Sequence, residues 1–473
     1  MEPTSSSDTQ PPHPLLWQAL IPVVFLVAVL AVVVIWMEGD VRVPIILATV
    51  VAAFVGLAQG VRWLDMQHGI VQGIVIGLPS ILILMLVGSL IGTWIAGGIV
   101  PLMIYAGLEV FSPQGFLPAA AFLCAIVSLA TGSSWTTAGS VGVALVGVGT
   151  GLGVNPAMTA GAIVSGAYFG DKMSPLSDST NLAPAVAGAD LFAHIRHMFF
   201  TTGPSFLIAL AGFAILGLAG AGGGADLAEV AAIQSALKEN FSLSPWLWLV
   251  PMAVLVMVSF KVPAMPALFV GSVLGALSAL FIERRSFELV MGVINSGFVS
   301  ETGQAMVDKL LSNGGIDSMM WTISLILCAL SFGGVMERTG QLRAIGVSIL
   351  AFAKGRGSLV ASTGVTSIIT NFLAADQYLA LIFPGRMFKG AYEKMKLAPV
   401  NLSRALEDMG TLSSPLIPWN TCGVTMAGVL GVATGEYWIF ALFNLINPVV
   451  SILYGFTGWT MKPAEAPKEK LPV

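Results

Sequence analysis

Charged side chains are scarce in this chain, and several of them gather in short polar islands that interrupt apolar runs. Ser165 to Asn181 (SGAYFGDKMSPLSDSTN) holds Asp171, Lys172 and Asp178, with Ser174, Ser177, Ser179, Thr180 and Asn181 beside them. Thr131 to Ser140 (TGSSWTTAGS) contributes Ser134 and Thr137, and Thr370 to Tyr378 (TNFLAADQY) contributes Asn371 and Asp376. Leu402 to Thr421 (LSRALEDMGTLSSPLIPWNT) brings Arg404, Glu407, Asp408, Ser414, Asn420 and Thr421. Carboxylate, hydroxyl and amide oxygens are what hard cations such as Na+ prefer. A carboxylate shielded from water also binds a proton more readily than one in solvent, so one group can serve both ions in turn. Asp171, Asp178, Asp376 and Asp408 are the first candidates for ion and proton binding. Ser134, Thr137, Ser174, Ser179, Asn181, Asn371, Ser414, Asn420 and Thr421 are candidate neutral ligands.

Each candidate has a structural alternative. Hydroxyls and amides hydrogen-bond neighbouring transmembrane helices. Asp171 could pair with Lys172 at a wet boundary, and Asp178 or Asp376 could serve a helix end. Glu407 and Asp408 are adjacent, so on a helix they point about 100° apart and only one can face a given site. Arg404 lies within i,i+3 and i,i+4 reach of both, which predicts a buried ion pair. Lys172, Arg404 and Glu407 are therefore read as structural or charge-balancing. His194, Arg196 and His197 are expected at a membrane surface.

The elements that must position these residues are apolar. Of 473 residues, 56% are hydrophobic and 10% charged, against about 25% charged in an ordinary soluble domain. Runs of roughly 20 apolar residues recur from end to end, each long enough to cross a bilayer as a helix. The fold class is an all-α polytopic membrane protein of about 11–13 transmembrane helices with broken helices and re-entrant hairpins. The expected layout is a disordered tail over 1–14, a first membrane half over 15–222, an extramembrane connector over 223–243, a second membrane half over 244–461 and a tail over 462–473. The three cysteines show no CxxC pairing and the four histidines no metal spacing. Basic residues are few and interleaved with acids, so nucleic acid is not an expected partner.

The islands come in pairs. Ser174-Pro175-Leu176 precedes Asn181, Ser414-Pro415-Leu416 precedes Asn420, and an acid stands before each. TGSSWTT lies upstream of one and TNFLAADQY upstream of the other. Paired Pro- or Gly-interrupted apolar segments in corresponding positions point to the binding site of a transporter built from two inverted repeats.

The strings TGSSWTTAGS, GAIVSGAYFGDKMSPLSDSTNL, AGADLFAHIRH, TNFLAADQYLA and LSRALEDMGTLSSPLIPWNTCG resemble the NhaC-type sodium/proton antiporters of the ion-transporter superfamily. That group includes sodium-malate/proton-lactate exchangers. The likeness runs over roughly residues 60 to 450, and SPLIPWNTCG is its most specific part. It implies a multi-pass antiporter of the bacterial inner (plasma) membrane.

The reading is secondary antiport of Na+, with Li+ a second candidate, against H+ by alternating access, with both ions competing for buried carboxylates. The alternative is Na+- and H+-coupled exchange of small carboxylates such as malate or lactate, which Lys172 or Arg404 facing the cavity would favour. No cofactor is expected beyond the transported ions. The expected partners are Na+, H+ and membrane lipid, with small carboxylates and a second copy of the chain as further candidates. An enzyme is not expected, since no nucleophile motif, credible dyad or P-loop is present.

Overall fold

The computed structural model of the chain describes residues 14–37, 39–220, 227–260 and 262–464. Most of the expected N-terminal and C-terminal tails, and part of the expected connector, lie outside these residues. Among the described residues there is no named strand, only the isolated bridges Phe298 to Asn313 and Leu397 to Pro463. Seven helices are long and apolar enough to cross a membrane, or up to nine when each of two bent pairs counts as one span, among the described residues. The connector region forms the helix Leu227–Asn240, which turns by 97° into the segment after it.

A scaffold of long helices surrounds the islands. Trp63–Ala96 packs along Ile316–Arg338 and Ala264–Phe281. The helices that carry the islands are less lipophilic because they are enclosed by protein. Pro156–Met173 is buried almost along its length by Ala, Gly, Ser and Thr faces. A Cβ at Gly166 or Gly170 would collide with the backbone of Pro113–Thr131, so glycine sets how closely these two helices approach. Further apolar helices, among them Arg42–Ala58, Ile99–Val110 and Thr421–Leu430, are shorter than a full span, so the count of clear spans falls below the 11–13 read from the sequence.

In the first half, Pro113–Thr131 ends at Gly132, whose φ of 69° is left-handed. Ser133 then caps the next helix by accepting from the Thr136 N–H. That helix continues from Ser134–Thr137 through the π-turn Ala138–Gly142 into Val143–Gly151. Pro156–Met173 follows, and after a short break Ser177 caps Asp178–Ala187 by accepting from Thr180.

The second half rebuilds this pattern. Arg356–Ala374 ends at Ala375, φ 57°, and Asp376 caps Gln377–Lys394. Pro399–Leu406 runs into the π-turn Glu407–Thr411, and Asn420 caps Thr421–Leu430. The equivalent positions stand 243 apart: 132 and 375, 133 and 376, 156 and 399, 177 and 420. Contacts recur at the same spacing. Ser128 donates to the Ala167 carbonyl at 2.6 Å, and Asn371 donates to the Gly410 carbonyl at 2.5 Å. The two Ser-Pro-Leu strings are 240 apart (174 and 414), so they lie three residues out of the structural register. In the first half that string follows the end of its helix, whereas in the second it forms the 3-10 turn Ser414–Leu416.

Candidate functional site: a cavity where the helix breaks meet

The break at Gly132 lies against the one at Leu176–Ser177, and this packing puts Ser134 beside Asp171. One carboxylate oxygen of Asp171 accepts the Ser134 hydroxyl at 2.7 Å and the Ser134 backbone N–H at 3.2 Å. Asp171 is 7% exposed, near the end of its helix, so the chain encloses the carboxylate while fixing its direction. Thr180 ties the break together by donating to the backbone carbonyls of Asp171 and Lys172, at 3.2 and 3.0 Å.

Asp171 opens onto a cavity of about 580 Å³. Its walls include the first-half breaks at 131–135 and 175–179 and, from the second half, Gln377, Tyr378, Thr421 and Cys422. Pro79, Ser80 and Ile83 of the long scaffold helix and the 262–265 segment complete it. Among the described residues lining it, Asp171 and Asp178 are the charged ones. Asp178 is exposed to this space in the first turn of its helix. The hydroxyls of Thr131, Ser133, Ser134, Ser177 and Ser179 stand around the same wall, giving the oxygen-rich surroundings that a hard cation needs.

On the second-half side the polar groups hold the breaks to each other. The Thr421 N–H donates to the Ala375 carbonyl at 2.9 Å, and Asn420 donates to the Asn371 carbonyl and side-chain oxygen at 3.1 and 3.0 Å. Gln377 accepts from the Ser414 hydroxyl at 2.9 Å and from the Cys422 thiol at 3.1 Å. Asp376 is 1% exposed and spends one oxygen on the Leu379 N–H at 3.0 Å as a helix cap. Of the neutral candidates, Ser134, Ser179 and Thr421 line the cavity. Thr137 instead donates to the Ser133 carbonyl, Ser174 accepts from Leu176 N–H, and Asn181 donates to the Pro175 and Ser177 carbonyls. Gln377 is one of several cavity residues, with Thr131, Ser133 and Ser177, that are not among the candidate ligands. Its position directly after a cap and a left-handed residue is the signal that marks it.

Asp408 lies behind the cavity in a second polar cluster. Its Oδ1 accepts from Lys172 Nζ at 2.6 Å, from Asn447 at 2.9 Å and from Thr201 at 3.1 Å, and both members of the ion pair are fully buried. This corrects two expectations. Lys172 pairs with Asp408 and not with its neighbour Asp171. Arg404 makes no ion pair with Glu407 or Asp408 and donates instead to the Thr460 hydroxyl at 2.7 Å and the Met461 sulfur at 3.4 Å. The Arg404 guanidinium thus turns toward Thr460 and Met461, and Lys172 takes the place beside Asp408. His194 and His197 are also buried and not at a surface. They lie beneath Pro399–Leu406, where Ser403 shares a 2.8 Å hydrogen bond with His194 Nδ1.

Comparison with known proteins agrees with this architecture. A family described as the Na+/H+ antiporter family matches residues 166–459. The chain is 41% identical over 418 residues to the Na(+)/H(+) antiporter NhaC of Alkalihalophilus pseudofirmus, covering 88% of this chain and 90% of that protein. It is 40% identical over 479 residues to the arginine/ornithine antiporter ArcD of Halobacterium salinarum, covering 99% and 98%. It is 38% identical over 435 residues to the malate-2H(+)/Na(+)-lactate antiporter of Bacillus subtilis, covering 90% and 93%.

Proposed function

The chain belongs to the Na+/H+ antiporter family, and from that membership we propose that it exchanges Na+ for H+ at the cavity carboxylates, chiefly Asp171. The observation that carries the assignment to this site is the charge of the cavity wall: its charged residues, among those described, are both acids. A cation is attracted there and an unaccompanied anion repelled. Asp171 is enclosed enough for the bare carboxylate to be unfavourable without an ion beside it. A proton or a Na+ relieves that charge, and one carboxylate does not hold both at full strength. Exchange follows if the cavity opens to one side at a time.

The recurrence of caps and breaks at a constant spacing supports two repeats. We infer that they are inverted in the membrane and rock about the cavity, in a multi-pass protein of the bacterial plasma membrane. No nucleotide-binding motif stands in the sequence to power the cycle, so ion gradients do.

A second reading is favoured by size. A cavity of about 580 Å³ has room for an organic solute, within the roughly 300–1,000 Å³ of small-molecule pockets. Lys172 and Arg404, which would favour a carboxylate substrate, are engaged behind the wall. A carboxylate substrate would therefore enter with Na+ or protons, whereas a basic amino acid would meet the two acids directly.

The test is reconstitution of the full chain in proteoliposomes with an internal pH dye. Na+ and Li+ gradients should drive proton movement, and K+ should not. Proton movement driven only by malate, lactate or arginine, with none driven by Na+, would overturn the cation reading.

A further inference from the structure

The strap over residues 458–464 is clasped to the turn that leads into Pro399–Leu406. The Ala398 N–H donates to the Lys462 carbonyl at 3.0 Å and the Ala464 N–H to the Lys396 carbonyl at 2.8 Å, on either side of the antiparallel bridge between Leu397 and Pro463. Asn401 grips the strap as well, donating to the Lys462 carbonyl at 2.7 Å and accepting from the Lys462 N–H at 3.0 Å. Lys396 and Thr460 take left-handed φ values of 53° and 63°, which non-glycine residues rarely adopt. The clasp therefore holds its backbone in one shape.

Positive charge collects on this clasp without a counter-charge. Side chains alternate across an antiparallel pair, so Lys396 and Lys462 fall on the face opposite buried Leu397, and both are exposed. Like charges held on one face repel. The exposed Arg356 adds a third cation at the start of the strap, where a Cβ on Gly458 would lie 3.9 Å from its Nη1. Among the described residues none of the three forms an ion pair, and neither do Lys354 and Lys394 beside them in the sequence. Glu393, the acid on the same turn, is exposed and forms no ion pair among those residues.

An apolar track leads up to the cations. Val449, Leu453 and Phe456 are exposed at i, i+4 and i+7 of Leu442–Thr457, which makes one stripe along the outside of that helix. Trp459 is exposed where the stripe meets the strap, with its ring centroid 4.6 Å from that of Tyr454. Aromatic rings beside basic residues are typical of the headgroup level of a bilayer.

We propose that this corner binds an anionic phospholipid, its phosphate held by Arg356, Lys396 and Lys462 and an acyl chain lying along Val449, Leu453 and Phe456. Unpaired cations select a negative headgroup over a zwitterionic one. The apolar stripe adds affinity only for a headgroup that carries a chain, which a free phosphate does not. The positive-inside rule turns such a corner to the cytoplasm, whose leaflet bears anionic lipids. Bound there, the phosphate relieves the repulsion between the cations and braces the strap on the turn. The site is independent of which ion is exchanged at the cavity.

The test melts the purified full chain in mild detergent with phosphatidylglycerol, with phosphatidylcholine of the same chains, or with inorganic phosphate. Phosphatidylglycerol should raise Tm by about 3 °C or more, and the rise should shrink as salt is added. Phosphatidylcholine and inorganic phosphate should leave Tm nearly unchanged. The triple variant R356Q/K396Q/K462Q should lose most of the rise. Amide hydrogen exchange on wild type needs no variant: phosphatidylglycerol, and not phosphatidylcholine, should slow it over residues 396–401 and 458–464. Equal shifts from the two lipids, or a wild-type response in the triple variant, would overturn the proposal. So would unchanged exchange at the clasp, or a shift with inorganic phosphate as large as that with phosphatidylglycerol.

Discussion

Asp171 and Ser134 form a contact that the second half repeats with a different chemistry. Ser134 donates its hydroxyl to Asp171 at 2.7 Å. The positions 243 further on, 377 and 414, hold Gln377 and Ser414, and there the serine hydroxyl donates to the glutamine oxygen at 2.9 Å. The pairing is kept with donor and acceptor exchanged, since Ser414 stands where Asp171 does and Gln377 where Ser134 does, so no carboxylate remains in the second-half contact. Of these two equivalent contacts, the first-half one alone includes a carboxylate.

Asp171→Asn should remove Na+-driven proton movement while the protein still folds. Asparagine retains the oxygen that Ser134 donates to but loses the exchangeable charge. Na+ affinity should fall by roughly tenfold or more, about 1.4 kcal/mol. Ser134→Ala leaves the backbone donor in place, so stability should drop by about 1 kcal/mol with exchange slowed and not abolished. Thermal melting of both variants in detergent, beside dye-based transport, separates the two effects.

The Lys172–Asp408 pair is fully buried on both sides. Removing one partner leaves an uncompensated buried charge, so Lys172→Met or Asp408→Asn alone should lower stability by roughly 3–5 kcal/mol. The double variant should recover much of that loss, because no orphan charge remains. Additive losses in a melting experiment would show that the pair is not the stabilising unit.

The islands were legible because a charged or broken segment stands out in an apolar chain, and each island does carry a helix break or cap. The partners were not. Lys172 and Asp408 are 236 residues apart, and nothing local in either island points to the other. Arg404 looked like the natural partner of Asp408 from spacing alone, but Lys172 from another helix occupies that place and Arg404 turns to Thr460 and Met461. The pair of histidines read as surface residues because they flank Arg196 shortly after Asp190 and their spacing suggests no proton relay. Packing of Pro399–Leu406 over them is a long-range event with no local signature. The register of the repeat was also displaced by three residues, since the Ser-Pro-Leu strings are more conspicuous than the caps that are structurally equivalent.

Asp376 separates capping from ion binding. Asparagine caps helices about as well as aspartate, so Asp376→Asn should keep both stability and exchange, while Asp376→Ala should cost about 1 kcal/mol. Complete loss of exchange in a stable Asp376→Asn protein would make this residue an ion ligand.

The turn over residues 300–304, which donates to Asp308 of the helix Ala305–Leu311, should respond to acid. Donation from the Thr302 N–H and hydroxyl, with the Ser300 hydroxyl and the Gly303 N–H, holds this carboxyl below its ordinary value. A lowered value in the folded state means that the contribution is present above about pH 4 and is lost as pH falls through the lowered value. Amide protection factors over residues 300–308, corrected for the intrinsic pH dependence of exchange, should therefore fall in acid and not in alkali, and Asp308→Asn should remove most of that dependence. Equal protection at both ends of the acid range would contradict this account.

Competition between Na+ and H+ for Asp171 is most directly tested by equilibrium binding of radioactive Na+ to the purified protein from about pH 6 to about pH 9. The account predicts that apparent affinity weakens by roughly tenfold or more for each unit of falling pH while the site is protonated, by linkage of the two ions. It also predicts that Asp171→Asn binds weakly at every pH. A wild-type affinity that stays constant across that range, or an Asp171→Asn protein that keeps the wild-type pH dependence, would contradict it.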